Sequence, residues 1–592
     1  MFGSVETFLR PQTIAIVGAS ETGGGGWAKG LFGNFAHEGF PARVYLINPR
    51  RSELWGQKVY PNFSSIPEPV DLGIFIIPAE AVADVLAEAG NAGLKNALIF
   101  AARFGEGGDE AGVARAQILK DISNRTGMRI VGPNCMGAIS LPERLLFYPT
   151  PRVRGLPKGP VGVVFQSGGT FQFWLEQGAA RGLGYSYAIS SGNELDLDMA
   201  DYLNFLVEDE DTKVIVCMAE GVRRPHTFML AAKRAFDAGK PVLMLKVGRT
   251  PAGQEAARSH TGALATEEHV FTAMCQKYAI TLVNTLDDLI EVSLALTAGR
   301  PAKGNRVAFL GYSGGAKGLF IDIAETFGLE LPDFAPSTKI KLGELIDQGM
   351  PSSNPLDTGA GLARRFEVFS EVCKIAAADP NIDMVSVQGQ LPLARGESGD
   401  PNFFRNIMES TTKPVIAHNR MSQNVNETGR AFQKNAGIPF LQRLPEVARA
   451  LSALARYSEL RDRGIVTEVS STYVYNAGDT IDKVLSDNAI PSPTQRVAKD
   501  VSEVGKAAVA VGFPVAIKVI STQPLHKTEL GGVELNIQSA EAAIQSANKM
   551  EKKISIDAPE LILSGFQIQR MVSGLEVMIG VRDDPRFGPF VV

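Results

Sequence analysis

The sequence predicts an α/β protein made of successive units of buried parallel strands with helices between them, followed by a smaller unit with an antiparallel sheet. Three observations carry that prediction. Short Val/Ile-rich runs without strict alternation recur from Thr13 to His418, as strands buried on both faces do. The 60 glycines collect where those runs end, as in VGAS, QSGG and GYSGG, a placement that suits strand–turn–helix units. Past roughly residue 470 the runs alternate apolar with polar residues instead.

The elements follow in order. TIAIVG (13–18), VYLINP (44–49), DLGIFIIPA (71–79), KNALIFAA (95–102) and RIVGPN (129–134) are the strands of a first unit. In such a sheet a ligand belongs at the carboxyl ends. PRVRGLPKGP (151–160) is a linker, and GVVFQSGG, KVIVCMAEG and PVLMLKVG are strands of a second unit. AGRPAKGN (298–305) leads into a third, with RVAFLGYSGG, IDMVSVQG and KPVIAH. The second and third units both open with strand–SGG–helix, a weak internal repeat. FPVAIKVI, GGVELNI and LILSGFQIQRMV are the alternating strands of the last unit. The final PRFGPFVV lies inside a strand-like run, so a continuation is expected.

A chain of 592 residues implies three to five domains, because single cores rarely grow past about 250 residues. A net charge of −5 without a clustered basic face argues against nucleic acid as a partner. No apolar run approaches the ~20 residues that a bilayer demands, so no membrane partner is expected. Cys135, Cys217, Cys275 and Cys373 are widely spaced, which argues against zinc or a disulfide framework and for a reducing compartment, the cytoplasm. His37, His226, His269, His418 and His526 form no metal-binding cluster, and no metal ligand is assigned.

Several motifs carry chemistry. VGASETGGGGWAKG does not fit GxGxxG, and Asn48–Pro49 stands where an acidic ribose contact would end the second strand, so a nicotinamide cofactor is disfavoured. Gly18, Ala19 and Ser20 at a helix start would suit a nucleotide diphosphate; the alternative is an ordinary tight turn. Ser167–Gly168–Gly169 and Ser313–Gly314–Gly315 would each aim free N–H groups and a positive helix end at an anion, and a pair suggests one phosphate approached from two sides. His260, in the small polar stretch AARSHTGALA, could attack phosphorus as a neutral imidazole. From spacing alone, the commoner reading is a hydrogen-bonded loop histidine. Glu220 ends a buried strand, a placement more often functional than one on a helix face.

Together these residues resemble the ADP-forming (NDP-forming) acyl-CoA synthetases, relatives of succinyl-CoA synthetase, in the form that fuses both subunits in one chain. VGAS, INP, IPA and GPNCMG are similar to that family's CoA-binding domain. VVFQSGG and GYSGG are similar to its phosphate-binding helix starts, AEG and SHTGAL to its carboxylate partner and phosphorylated histidine, and NPLDTGAG to a loop of its third domain. FPVAIKVIS…HKTELGGVELN and DDPRFGP are similar to the first half of its ATP-grasp domain.

The resemblance implies a Rossmann-like CoA-binding domain over 1–145, two flavodoxin-like domains of the succinyl-CoA-synthetase type over 155–300 and 303–460, and an incomplete ATP-grasp domain over 472–592. It implies an ATP-dependent carboxylate–CoA ligase working through phosphohistidine and acyl phosphate. His260 would carry the phosphoryl group and Glu220 would support it. CoA would lie at Gly18, Ala19, Ser20, Asn48, Pro49, Ile77, Pro78, Ala79 and Asn134. Phosphate would lie between Ser167–Gly169 and Ser313–Gly315, and ATP at Lys518, Gln569 and Met571. CoA, ATP and Mg²⁺ are the implied cofactors, with the Mg²⁺ ligands expected beyond Val592. A small carboxylic acid is the implied partner and a homodimer the implied assembly. Phe165, Phe171, Phe173, Trp174, Tyr185 and Tyr187 cluster near the first SGG turn, which suggests an acid larger than acetate, an aromatic one included. Their alternative reading is core. Two rival functions share these domains: a CoA-dependent protein lysine acetyltransferase, which usually lacks the histidine, and a non-catalytic CoA-binding protein.

Overall fold

The computed structural model describes residues 2–22, 26–261, 268–362, 365–397, 399–465, 481–521, 530–575, 577, 579–584 and 587–591. The chain divides into two compact units, Met1–Val466 with Asp583–Phe590, and Thr467–Arg582 with Val591–Val592.

The first unit holds three sheets. Strands β1 (Thr13–Val17), β2 (Arg43–Ile47), β3 (Glu53–Leu54), β4 (Gln57–Tyr60), β5 (Leu72–Phe75), β6 (Asn96–Ile99) and β7 (Arg129–Val131) form the first, in the order β3-β4-β2-β1-β5-β6-β7. All its pairings are parallel except the β3–β4 hairpin. Every residue of β1 is buried, which explains its unbroken apolar run. The chain winds outward from β1 through β2, then crosses back to β5, so the order switches between β1 and β5. That is where an open α/β sheet has its crevice.

The second sheet comprises β8 (Gly137–Ser140), β9 (Leu145–Phe147), β10 (Lys158–Phe165), β11 (Tyr185–Ser190), β12 (Val214–Ala219), β13 (Val242–Lys246) and β14 (Ile280–Val283). Its order is β14-β13-β12-β10-β11-β8-β9, with the switch between β10 and β12. The segment holding β8 and β9, which the sequence puts in the first unit, pairs antiparallel onto β11. Its side chains are wholly apolar or small and buried, so it joins the sheet that covers them. The third sheet, wholly parallel, comprises β15 (Val307–Gly311), β16 (Leu356–Asp357), β17 (Met384–Gln388), β18 (Val415–Asn419) and β19 (Phe440–Gln442), in the order β16-β15-β17-β18-β19.

Backbone bonds join the first two sheets. Asn193 N donates to Pro133 O (2.9 Å), Leu195 N to Gly132 O (3.0 Å) and Leu197 N to Ile130 O (3.2 Å). Gly192 makes this possible, since a Cβ there would lie 2.4 Å from Pro133 O. The second and third sheets are joined by a buried ion pair, Arg181 to Glu291 (2.8 Å), with Arg181 also donating to Phe440 O (2.7 Å).

The second unit carries an antiparallel sheet of β20 (Gln495–Ala498), β21 (Val515–Ser521), β22 (Val533–Ile537) and β23 (Leu563–Arg570), ordered β20-β23-β21-β22. The helices Val501–Val511 and Ala540–Asp557 bury Val504, Ala508, Ala543 and Ala547 in a common core with Ile517, Val519 and Ile568 of the sheet. The fold class is therefore the one the sequence predicts.

Candidate active site where two sheets meet

The switch points of the first two sheets open on one cavity of about 880 Å³. The first sheet contributes Ile76, Ile77, Pro78 and Ala79 after β5, and Asn134 after β7. The second contributes Gln166–Gly169 after β10 and Glu220 after β12. Eight of the residues assigned from sequence to CoA, phosphate and catalysis thus share a wall: Ile77, Pro78, Ala79, Asn134, Ser167, Gly168, Gly169 and Glu220.

The SGG turn has a clear local logic. Ser167 precedes the helix Gly168–Arg181, and its hydroxyl pairs with Thr170 Oγ1 (3.1 Å). A Cβ on Gly168 would meet Met136 Cγ at 2.4 Å, so packing requires glycine there. A Cβ on Gly169 would meet nothing within 4 Å, so the protein leaves that space to the cavity. The exposed N–H groups of the first turn point a partial positive charge outward.

Glu220 is buried, 8% exposed, and its backbone is held from both sides. Gln166 Oε1 accepts from Glu220 N (2.6 Å) and Gly221 N (3.2 Å), while Gln166 Nε2 donates to Gly221 O (2.8 Å). Lys246, buried at the end of β13, donates to Glu220 O (2.7 Å). Neither Gln166 nor Lys246 was singled out by sequence reasoning. The available signal for Lys246 was a charged residue closing the buried run PVLMLK, since a buried ammonium needs acceptors.

Other assigned residues lie elsewhere. Gly18, Ala19 and Ser20 are not at a helix start: the helix begins at Trp27, and Gly18 N and Ala19 N both donate to Ile47 O (3.0 and 3.2 Å). The polar stretch ETGGGG delays the helix, because glycines disfavour it. Asn48 Nδ2 donates to Ala19 O (2.8 Å), which ties the turn to β2, and Pro49 beside it is exposed. None of these five is among the described residues lining the cavity. Ser313, Gly314 and Gly315 open the helix Gly314–Thr326, with Ser313 Oγ accepting from Ala316 N (3.4 Å), and they too lie outside that lining. The repeat nevertheless extends to the switch point, where Tyr312 N donates to the Gln388 side chain (3.3 Å) between β15 and β17.

His260 falls in the helix Pro251–Thr261 rather than in a loop. Proline at the first position followed by AGQEAAR favours helix. Its side chain and residues 262–267 lie outside the described residues. In the second unit Lys518 Nζ donates to Gln569 Oε1 (2.8 Å), so two residues assigned to ATP touch, and Met571 N donates to Pro514 O (2.9 Å) just beyond β23.

The aromatic cluster is core, not cavity. Phe165, Phe171, Trp174, Tyr185 and Tyr187 are buried. Phe171, Trp174, Leu175 and Gly178 form the helical stripe that packs on β10 and β11, each large side chain gaining roughly 1.5–3 kcal/mol by burial. Phe173 is on the opposite face, 59% exposed. The aromatic residues that do line the cavity are Trp27 and Phe100, edge to face with centroids 5.6 Å apart.

Among the described residues no group of three or more His, Cys, Asp and Glu side chains is arranged to hold a metal ion. No helix of the described residues is long and apolar enough to cross a membrane.

Comparison with known proteins places this geometry in a class. A CoA binding domain model matches residues 12–140, a succinyl-CoA ligase like flavodoxin domain model 158–296, and an ATP-grasp domain model 475–592. A trans-feruloyl-CoA synthase from an unknown prokaryotic organism is 30% identical over 99% of this chain and 85% of its own length. An ADP-forming acetate–CoA ligase of Archaeoglobus fulgidus is 30% identical over 99% of this chain and 86% of its own. A solved dinucleotide-forming acetyl-coenzyme A synthetase from Ca. Korarchaeum cryptofilum, in complex with phosphate and ADP, superposes with a TM-score of 0.68 at 27% identity, over 78% of this chain and 98% of that one. Fold and matches together define a carboxylate–CoA ligase. The chain belongs to the ADP-forming acyl-CoA synthetases, with CoA-binding, succinyl-CoA-ligase-like and ATP-grasp domains fused in one polypeptide. The family uses CoA and ATP with Mg²⁺ to make an acyl-CoA, ADP and phosphate.

Proposed function

We propose that the cavity between the first two sheets is where the thiol of CoA meets an activated acid, with His260 as the phosphoryl carrier. A carboxylate resists a thiol because oxide is a poor leaving group, whereas phosphate leaves readily. The phosphoryl group passes from ATP to the His260 imidazole, then to the acid at the Ser167–Gly169 helix start, whose N–H groups stabilise its charge. Glu220 supports the positive phosphohistidine, as the acidic member of a triad does. The thiol attacks the acyl phosphate and expels phosphate. CoA extends along the carboxyl ends of β1, β2 and β5, past Gly18–Ser20 and Asn48–Pro49 to Ile77–Ala79 and Asn134. Ser313–Gly315 closes on the phosphate from the third sheet. Lys518, Gln569 and Met571 hold ATP. The observation that carries this reading is that one cavity wall joins Ile77–Ala79 to Ser167–Gly169 and Glu220. A homodimer, implied by the resemblance, and a cytoplasmic location, supported by four free buried cysteines, belong to the same reading.

The acid is larger than acetate and of the aryl type. Trp27 and Phe100, with Ile76, Ile77 and Met136, give apolar lining to the same cavity that the Ser167–Gly169 turn lines. A relative named for feruloyl-CoA supports the same class. An acid panel with CoA and ATP tests this. An arylpropenoate should exceed acetate in kcat/KM, and Trp27→Ala should lower the aryl value by about tenfold or more while sparing acetate, the weight of one large apolar contact. Acetate as the far better substrate of the wild type would refute it.

A further inference from the structure

The cavity between the first two sheets has to accept CoA, a polyanion, yet its lining holds little positive charge. Arg103, in the turn after β6, is the one lysine or arginine among the described lining residues, set against the carboxylates of Glu80 and Glu220. Its backbone lies in the left-handed region, φ +78°, where glycine is the ordinary choice and an arginine stays only if its surroundings hold it. They do hold it. Glu106 accepts from Arg103 N and from Phe104 N (both 2.6 Å), and Arg115 Nε donates to Arg103 O (2.9 Å). Phe104 is buried in the core of the first sheet, which anchors the turn. Glu106 also accepts from Asn193 Nδ2 (3.2 Å), so the same carboxylate ties this turn to the second sheet.

All of these bonds fix the main chain of Arg103. Its guanidinium is 70% exposed and pairs with Glu80 Oε1 (2.8 Å) in the first turn of the helix Ala79–Asn91. An ion pair so open to water contributes too little to account for a strained backbone. The fold therefore presents a cation at the cavity while engaging it only loosely. A phosphate, with two oxygens that match the planar fork, can take the place of Glu80.

We propose that Arg103 is a CoA-binding residue, whose guanidinium leaves Glu80 for a phosphate of CoA when the cofactor enters the cavity. Phosphate is the anion that suits a position so open to solvent. The acid and the thiol have to react near Glu220, which is buried, whereas the phosphates lie at the other end of CoA and stay in contact with water. The inference rests on the reading that CoA occupies this cavity.

Calorimetry with CoA on the full chain and on Arg103→Gly tests it, because glycine is the residue that φ +78° favours. An arginine kept for the cofactor predicts that the variant loses about tenfold or more in CoA affinity, as loss of a charged hydrogen-bonded contact does. Its urea midpoint should meanwhile stay level or rise, because the strain is gone. Arg103→Lys should recover part of the affinity, and added salt should weaken CoA less in Arg103→Gly than in the wild type. Dephospho-CoA tells which phosphate is held: a penalty that vanishes with it assigns the 3′-phosphate, and one that persists assigns the diphosphate. Unchanged CoA affinity in Arg103→Gly, or a loss of affinity together with a lower urea midpoint, overturns the proposal. Amide hydrogen exchange over residues 76–79 and 134–136, with and without CoA, separates the two claims. Protection there in both proteins at equal affinity refutes the role of Arg103 alone. Protection elsewhere in the chain refutes CoA in this cavity, and the role of Arg103 with it.

Discussion

A buried carboxyl such as Glu194 charges the fold for its burial whenever it ionises. Its folded value lies above the ordinary carboxyl range, so between that range and about pH 8 the folded protein holds a proton that the unfolded chain has released. Stability therefore falls as pH rises through that window. Glu194→Gln should remove this slope: the variant's advantage in urea midpoint should grow from near zero at acid pH to its largest value above pH 8. A difference between the two proteins that stays constant with pH would mean that Glu194 does not titrate in this window. Sequence reading found Glu220 because a charge closing a buried strand is conspicuous. It missed Gln166 and Lys246, whose hold on Glu220 depends on strand ends distant in sequence meeting at one end of the sheet. It left Phe165 and Trp174 open between acid pocket and core, and the core reading is the one that holds, while Trp27 stood unremarked at the end of a glycine run.

At the scale of elements, the turn after β1 decides how closely the first sheet's switch point can close. Gly18 has φ +84°, and a Cβ there would lie 2.4 Å from Ile76 O, a backbone atom with no freedom to yield. Gly18→Ala should destabilise the first unit by more than about 1 kcal/mol and weaken CoA in calorimetry, because β1 and β5 must part. Unchanged stability and affinity would show that the turn relaxes elsewhere. The parallel sheets were legible in advance, because strands buried on both faces leave unbroken Val/Ile runs that end in glycine. Two boundaries were not. The helix after β1 starts at Trp27 rather than beside Ser20, and β8 with β9 joins the second sheet. Each depends on contacts far along the chain, which local composition does not encode.

At the scale of the whole molecule, the first unit brings two switch points to one cavity by stitching residues 193–197 against 130–133, and locks the third sheet on with the buried pair Arg181–Glu291. The repeat of strand–SGG–helix is thus more than a resemblance of sequence, since in both copies a glutamine side chain bridges the two turns of the switch point, Gln166 in one and Gln388 in the other. On the proposed reading this cavity is the catalytic centre, its SGG helix start meets the phosphate, and a carrier brings the phosphoryl group from ATP. The central claim is that His260 is that carrier. The enzyme incubated with γ-labelled ATP and Mg²⁺ should become a phosphoprotein that is labile to acid and stable to alkali, as a phosphoramidate is, and the true acid together with CoA should discharge it. His260→Ala should abolish labelling and turnover together, because no neighbour in RSHTGALA can accept and return a phosphoryl group as readily. Full labelling or full turnover in His260→Ala would contradict the account and leave direct attack of the carboxylate on ATP in its place.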